Sequence, residues 1–177
     1  MTPVRLVVLA CGNEARGDDA LGPAFVAQAE AMHPPPGIAL AFVADFQLQP
    51  EHALDLAGKD LALFVDADVD VPQGGRFREL APAASPALTT HGMSPAAVLD
   101  AWRRAFGTAP PPAFELALHA ERFELGAPMS TSARAGLRTG LAVFAKLCAR
   151  ATLPAWRALA VSGRIGGATR GTAERIA

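Results

Sequence analysis

Three short apolar segments, separated by stretches with helical character, constrain the fold more than any other feature of this sequence. They occupy residues 4–10, 38–44 and 61–65 and are rich in Val, Leu and Ala. An uninterrupted apolar run of this length predicts a strand buried on both faces, and such strands are typical of parallel sheets covered by helices. Between them, residues 20–32 have apolar side chains at helical spacing, and residues 51–57 are followed by Gly58, a typical helix end. The pattern predicts a three-layer α/β domain: a twisted, mostly parallel sheet with helices on both faces.

The second half of the chain continues this alternation. Residues 76–80 alternate polar and apolar side chains, as an edge strand does, and residues 114–118 form another apolar run. A helix is predicted over residues 94–106, with Ser94 as its N-cap. A last helix is predicted from a polar cap within residues 130–132 to about residue 151.

The end of the chain lacks such a pattern. Residues 152–177 are rich in Gly, Ala and Arg, and small or charged residues provide little apolar surface to bury. We therefore expect one α/β domain over residues 1–151, followed by a flexible tail over residues 152–177.

Charge and composition exclude several classes of function. The 177 residues include 16 Lys and Arg against 17 Asp and Glu, so no basic field is available to attract nucleic acid or an anionic membrane. No apolar run is long enough to cross a bilayer. The two cysteines, Cys11 and Cys148, form no C-x-x-C motif and give no sign of an oxidising compartment. We expect a cytoplasmic protein with neither nucleic-acid nor membrane partners.

Polar residues follow the predicted strands at three places. Asp18 and Asp19 come after the first strand, Asp66 closes the third, and His91 precedes the helix over residues 94–106. Ligands of open α/β sheets bind beyond the carboxyl ends of the strands. Two carboxylates and one imidazole from three loops would give a divalent metal two oxygen ligands and one nitrogen ligand, with coordination positions left open. We interpret Asp18 as a helix cap and Asp19 as the functional acid, with His119 a second choice to His91.

Each of these residues also has an ordinary structural interpretation. An acid that ends a strand is often a turn former, and acids after the first strand often cap a helix. A dinucleotide-binding loop is the competing functional interpretation of residues 11–19. That motif needs G-x-G-x-x-G, whereas Glu14 occupies the place of the second glycine, and the two following acids would repel a phosphate. Cys11, directly after a buried strand, is expected to be packed rather than nucleophilic.

An ordered set of short motifs resembles the hydrogenase maturation endopeptidases. It comprises VLACGN at residues 8–13, GDDALG at 17–22, DA at 66–67 and THGMS at 90–94. Members of that family remove a C-terminal extension from the large-subunit precursor of nickel–iron hydrogenases. The resemblance implies that Asp19, Asp66 and His91 are the catalytic and metal-contacting residues. It also implies that the nickel is carried by the substrate and that the protein has no tightly bound cofactor of its own.

The loop at residues 45–51 departs from the glycine-rich loop of many relatives. Its polar side chains, Asp45, Gln47 and Gln49, are candidates for substrate recognition, because an amide can both donate and accept hydrogen bonds. In the alternative interpretation the loop is a plain connection, with Phe46 and Leu48 packed inward. A non-catalytic nickel-sensing assembly factor would need the same ligands as the protease, so this sequence leaves both functions open.

Overall fold

A five-stranded sheet forms the centre of the domain in the computed structural model, which describes residues 2–83 and 93–165. The strands are β1 (Val4–Cys11), β2 (Ile38–Asp45), β3 (Leu61–Asp68), β4 (Arg76–Leu80) and β5 (Ala113–His119). Their spatial order is β2-β1-β3-β5-β4. All neighbours are parallel except β4, which runs antiparallel to β5 at one edge. The predicted α/β class with a mostly parallel sheet is confirmed.

Helices cover both faces of the sheet. The α-helices are α1 (Leu21–Glu30), α2 (Pro95–Phe106), α3 (Thr131–Ala149) and α4 (Leu153–Ser162), and 3₁₀ helices span Gly17–Ala20 and Pro50–Leu56. Ser94 and Ser130 cap α2 and α3, accepting the amides of Ala97 at 3.2 Å and Ala133 at 3.0 Å. The predicted cap of α2 is therefore confirmed, and Ser130 is the one of the three candidate residues 130–132 that caps α3. No helix of the described segments is both long and apolar enough to cross a membrane.

Two apolar clusters lie on opposite faces of the sheet, and β1 contributes to both. Leu6 and Val8 point to the face that packs against α1 and α3, whereas Val7 and Leu9 point to the face that packs against α2 and the Pro50–Leu56 helix. All four side chains are buried. This alternation explains why the sequence of β1 is apolar throughout, since neither face of the strand meets water.

The prediction of a flexible tail from residue 152 is wrong for residues 153–165. Trp156 of α4 is fully buried, packs edge-on against Phe77 and Phe114, and donates its indole N–H to the carbonyl of Leu147 at 3.1 Å. Leu153, Leu159 and Ala160 pack against the same cluster, so α4 buries an apolar stripe centred on one large aromatic side chain. Residues 166–177 lie outside the described residues.

Candidate active site

The first two predicted acids are brought together by neighbouring strands. β1 and β3 are paired in the middle of the sheet, with Ala10 opposite Val65. Asp66 is the next residue of β3, and the chain leaves β1 at the same edge towards Asp19. Carboxyl ends of adjacent parallel strands form the usual ligand site of open α/β sheets.

Asp19 and Asp66 line one small cavity at this edge. Its volume is about 90 Å³, room for about three waters at ~30 Å³ each. The walls come from the ends of β1 and β3, the loop after β2 and the start of α2; the residues besides the two acids are Leu9, Cys11, Gly12, Phe46, Gln47, Leu48, Phe64, Val65, Met93 and Pro95. The cavity is large enough for an ion or for the reacting atoms of a larger substrate.

Two glycines hold the segment that carries Asp19 against the end of β1. Gly12 has a φ of +147°, and a Cβ there would lie 1.9 Å from the carbonyl oxygen of Asp19. A Cβ on Gly22, in the first turn of α1, would lie 2.1 Å from the carbonyl oxygen of Cys11. Any side chain at either position would push the Asp19 backbone or the helix away from the strand. The position of Asp19 therefore depends on close contact between backbones.

Asp18 does not cap the helix that follows it, so that expectation is wrong. Its side chain is fully buried; Oδ2 accepts the amides of Glu121 at 2.9 Å and Arg122 at 3.1 Å, and Oδ1 accepts the amide of Ser130 at 2.6 Å. Burial opposes ionisation, but these hydrogen bonds outweigh it and lower the pKa of Asp18. Asp18 thus ties the Asp19 segment to the loop between β5 and α3.

Most backbone amides of the loop after β1 are already bonded within the protein. Six of its N–H groups donate to other residues of the protein. Gly12 donates to Asp45, Ala15 and Arg16 to Asn13, Gly17 to Ala127, Asp18 to Arg122, and Asp19 to Arg16. A nucleotide loop presents such amides to the ligand. Here they stabilise the loop itself, which disfavours the nucleotide-binding interpretation.

Asp66 is in an environment that favours its protonated form. Burial raises its pKa to about 7, the hydrogen bond from the amide of Ala67 partly opposes this, and the charges of Glu115, Asp19 and Asp68 raise it further. The Ala67 amide lies 2.8 Å from Asp66 Oδ1. Near neutral pH the group is therefore divided between acid and base forms, which suits proton transfer or exchange of the proton for a cation.

Glu115 is a contributor to this electrostatic environment that the sequence analysis missed. It is 7% exposed and accepts a hydrogen bond from Arg78 Nε at 2.6 Å, with Arg76 3.5 Å away. Its only sequence signal is an acid inside the apolar strand AFELALH of β5. A buried acid of this kind needs a cationic partner, and the edge strand β4 supplies two.

Cys11 lies in the cavity wall as a neutral thiol. Burial, together with the charges of Asp66, Asp45 and Asp19, raises the pKa of Cys11 to about 12. The thiolate, which is the nucleophilic form, is therefore negligible at neutral pH. This agrees with the interpretation of Cys11 as a packed residue.

The loop at residues 45–51 combines both of the interpretations offered for it. Gln47 lines the cavity, whereas Asp45 accepts the amide of Phe46 at 2.6 Å and the amide of Gln49 donates to His52 Nδ1 at 2.8 Å. Leu48 is packed inward at 7% exposure, but Phe46 is 73% exposed, so the expectation that both pack inward is wrong for Phe46. An exposed aromatic ring at the mouth of a cavity can contact a partner.

The predicted third ligand, His91, falls in residues 84–92, outside the described residues. Met93, two positions later, lies in the cavity wall and donates its amide to the carbonyl of Leu48 at 3.2 Å. The second choice, His119, has Nδ1 2.8 Å from the carbonyl of Val71 and does not line the cavity. Within residues 2–83 and 93–165, no three acidic, His or Cys side chains are grouped as a metal site. The set Asp19, Asp66 and His91 therefore stays a prediction.

The fold and the cavity define a class: a small α/β domain with paired acids at the carboxyl edge of its parallel strands. By sequence, neither a family model nor a curated protein matches this chain. By structure, it is similar to hydrogenase maturation proteases over most of its length, and the resemblance found in the motifs is confirmed.

Three solved structures illustrate this similarity. The [NiFe] hydrogenase maturation protease HycI from Thermococcus kodakarensis KOD1 has a TM-score of 0.64 and 20% identity, covering 83% of this chain and 94% of its own. The hydrogenase maturating endopeptidase HybD from E. coli has a TM-score of 0.60 and 26% identity, covering 81% and 92%. The hydrogenase 2 maturation peptidase from Thaumarchaeota archaeon SCGC_AB-539-E09 has a TM-score of 0.53 and 17% identity, covering 80% and 96%.

Proposed function

We propose that this protein is an endopeptidase of hydrogenase maturation, which removes the C-terminal extension of a nickel–iron hydrogenase large-subunit precursor after nickel insertion. The single observation that carries the proposal is the meeting of Asp19 and Asp66 in one cavity, on a fold similar to that of hydrogenase maturation proteases. Both the fold and the two acids were expected from the motifs that resemble this family.

Asp66 is the residue to which we assign proton transfer. Its pKa, about 7 in the free protein, means that this carboxyl exchanges its proton near neutral pH. Once the substrate's cation has displaced that proton, the carboxylate can accept a proton from the attacking water and pass it to the leaving amine. Asp19 supplies a second oxygen ligand next to Asp66. Because the thiolate of Cys11 is negligible at neutral pH, water is the preferred nucleophile. We place His91 as the third ligand, because Met93 belongs to the wall of the same cavity.

The nickel of this proposal belongs to the substrate. Two carboxylates in one cavity repel each other, so a cation that arrives with the precursor would displace the proton of Asp66 and relieve the repulsion. Three protein ligands leave coordination positions for the groups that already hold the metal in the precursor. The ion thereby serves as a recognition signal and as a Lewis acid near the scissile bond.

The test is processing of nickel-loaded and nickel-free precursor by the purified protein, followed by mass spectrometry. We expect cleavage of the loaded precursor only, and its loss in Asp66→Asn. Asp70→Asn is the matched control, because Asp70 lies just beyond the end of β3, is exposed, and is not among the charges that raise the pKa of Asp66. Nickel-dependent binding without cleavage would support the assembly-factor alternative, and equal processing by Asp66→Asn would refute the role of the acid.

A further inference from the structure

The two edges of the sheet are protected very differently. The β4 edge is short, carries Arg76, Arg78 and Glu79, and is joined by the C-terminal segment, since the amide of Phe77 donates to the carbonyl of Gly163 at 3.0 Å. The β2 edge has eight residues, IALAFVAD, with no Lys, Pro or bulge, and pairs with β1 in continuous register. Natural proteins usually protect an edge of this kind, because its unpaired backbone groups attract another strand.

The backbone groups on the outer side of β2 can be identified from its bonds to β1. The carbonyls of Gly37 and Asp45 accept the amides of Val4 at 2.9 Å and Gly12 at 3.0 Å. Because successive residues of a strand direct their peptide groups to opposite sides, the odd-numbered residues of β2 face β1. The outward N–H and C=O groups belong to the even-numbered residues, and within the described part of the chain no backbone partner bonds to them: Ile38, Leu40, Phe42 and Ala44.

This edge leads directly to the candidate active site. β2 ends at Asp45, and the next residue, the exposed Phe46, borders both the cavity of Asp19 and Asp66 and a second groove of about 440 Å³. That groove is formed by the loop after β1 and the end of β2, including Glu14, Pro23 and Ala44. A peptide paired with β2 would therefore pass the groove and reach the two acids without leaving the surface.

We infer that the outer edge of β2 binds the C-terminal extension of the precursor as an added, antiparallel strand. This inference rests on the proposed function and names the part of the substrate that the edge takes. The scissile bond lies at the Asp19–Asp66 cavity, at the carboxyl end of β2, so residues after that bond run back along β2 towards Ile38. The four outward residues of β2 span positions 38–44, so an extended peptide of about seven residues, with a rise of ~3.3 Å per residue, would cover them. Binding through the backbone gives affinity with little dependence on the sequence of the extension.

The test removes one outward donor. Ala44→Pro deletes an N–H that faces away from β1, a position where proline is tolerated in an edge strand. We expect KM for the nickel-loaded precursor to rise about five- to tenfold, the usual value of one hydrogen bond with its local distortion, while kcat stays within about twofold. Ala39→Ser is the control, because Ala39 is exposed and its backbone faces β1. The cavity lies between the ends of β1 and β3, more than two strand spacings (~10 Å) from an added strand outside β2. Two extended residues span only ~7 Å, so a precursor whose extension is shortened to two residues does not reach Ala44 and should show the same KM with the Pro variant and the wild type.

A second measurement does not depend on how the proline variant folds. In the complex of Asp66→Asn with intact precursor, amide hydrogen exchange over residues 38–44 should slow at least about tenfold relative to the free protein. Equal KM for wild type and Ala44→Pro on the full precursor, or unchanged exchange in the complex, overturns the strand addition while the protease function stands. A Pro effect that persists on the shortened precursor also overturns it, since residues before the scissile bond would then occupy the edge. A wild-type protein that cuts no precursor overturns the proposed function and this inference together.

Discussion

Replacing Asp66 by Asn should stabilise the protein while it abolishes processing. The pKa of this acid rises from 3.8 to about 7 in the folded protein, mainly through burial, so the folded state holds a proton that the unfolded chain has released. Between these two values stability falls as the pH rises, because the folded state binds more protons than the unfolded state. Asn has nearly the same size, can still accept the amide of Ala67, and never ionises.

The size of the gain follows from the shift. A pKa raised by about three units lowers the free energy of unfolding of the wild type by at most about 4 kcal/mol above pH 7, and by about 1.5 kcal/mol at pH 5. The advantage of Asp66→Asn over the wild type should therefore grow by about 2–3 kcal/mol between pH 5 and pH 8. Such a trade between stability and activity is typical of residues held in a functional arrangement.

Urea denaturation of both proteins at half-unit intervals from pH 4.5 to pH 8.5 measures this effect. Asp70→Asn is the control, because Asp70 is exposed and is not among the charges that raise the pKa of Asp66; its difference from the wild type should stay under about 0.5 kcal/mol at every pH. A constant difference between Asp66→Asn and the wild type across this range would refute the reasoning that burial and neighbouring acids raise the pKa of Asp66.

Four further predictions concern the supports of the site. Gly12→Ala should lose processing and at least about 2 kcal/mol in urea denaturation, whereas Gly37→Ala, with positive φ but open space around it, should lose only about 1 kcal/mol. Asp18→Asn should cost about 2 kcal/mol at pH 7, and less as the pH falls below 4, because its lowered pKa stabilises the wild type only when the acid is ionised. Trp156→Ala should cost about 3–5 kcal/mol by thermal unfolding, and a small loss comparable to that of an exposed ion pair would refute its role as the anchor of α4. Exchanging only Phe46 and Gln47 for glycines, which keeps the buried Leu48 and the Gln49–His52 bond, should stop processing of the cognate precursor with little change in melting temperature, and an unchanged substrate range would make the loop a plain connection.

Local signals were enough to predict most of the architecture. Apolar runs located β1 and β3 because these strands are covered on both faces, and they also located β2, although this edge strand is only partly buried. Ser94 marked the start of α2 because a cap bonds within its own turn. β3 continues to Asp68, past its predicted end, because Asp66 and Asp68 still pair with Ala117 and His119 of β5. Pairing between strands can extend a strand into polar residues that no local pattern marks.

Features that depend on distant partners were not predictable in this way. The role of Asp18 is set by amides more than 100 positions away, and nothing in its neighbourhood distinguishes it from a helix cap. Helix α4 was missed because its apolar stripe is short: besides the buried Trp156, only the half-buried Leu153, Leu159 and Ala160 pack against the core. For the candidate site, the motifs located Asp19 and Asp66, but the buried Glu115 that alters the electrostatics of Asp66 belongs to another strand.

The bonds of Asp18 also have a consequence for when the site can form during synthesis. They join positions separated by 103, 104 and 112 residues, so the segment carrying Asp19 reaches its final place only after residues 121–130 have left the ribosome. At about 5–20 residues per second, this interval is roughly 5–20 s. A nascent chain that ends before β5 contains both acids yet lacks the contacts that hold one of them in place. The newly made protein therefore acquires its cavity late, when its last long helix can dock.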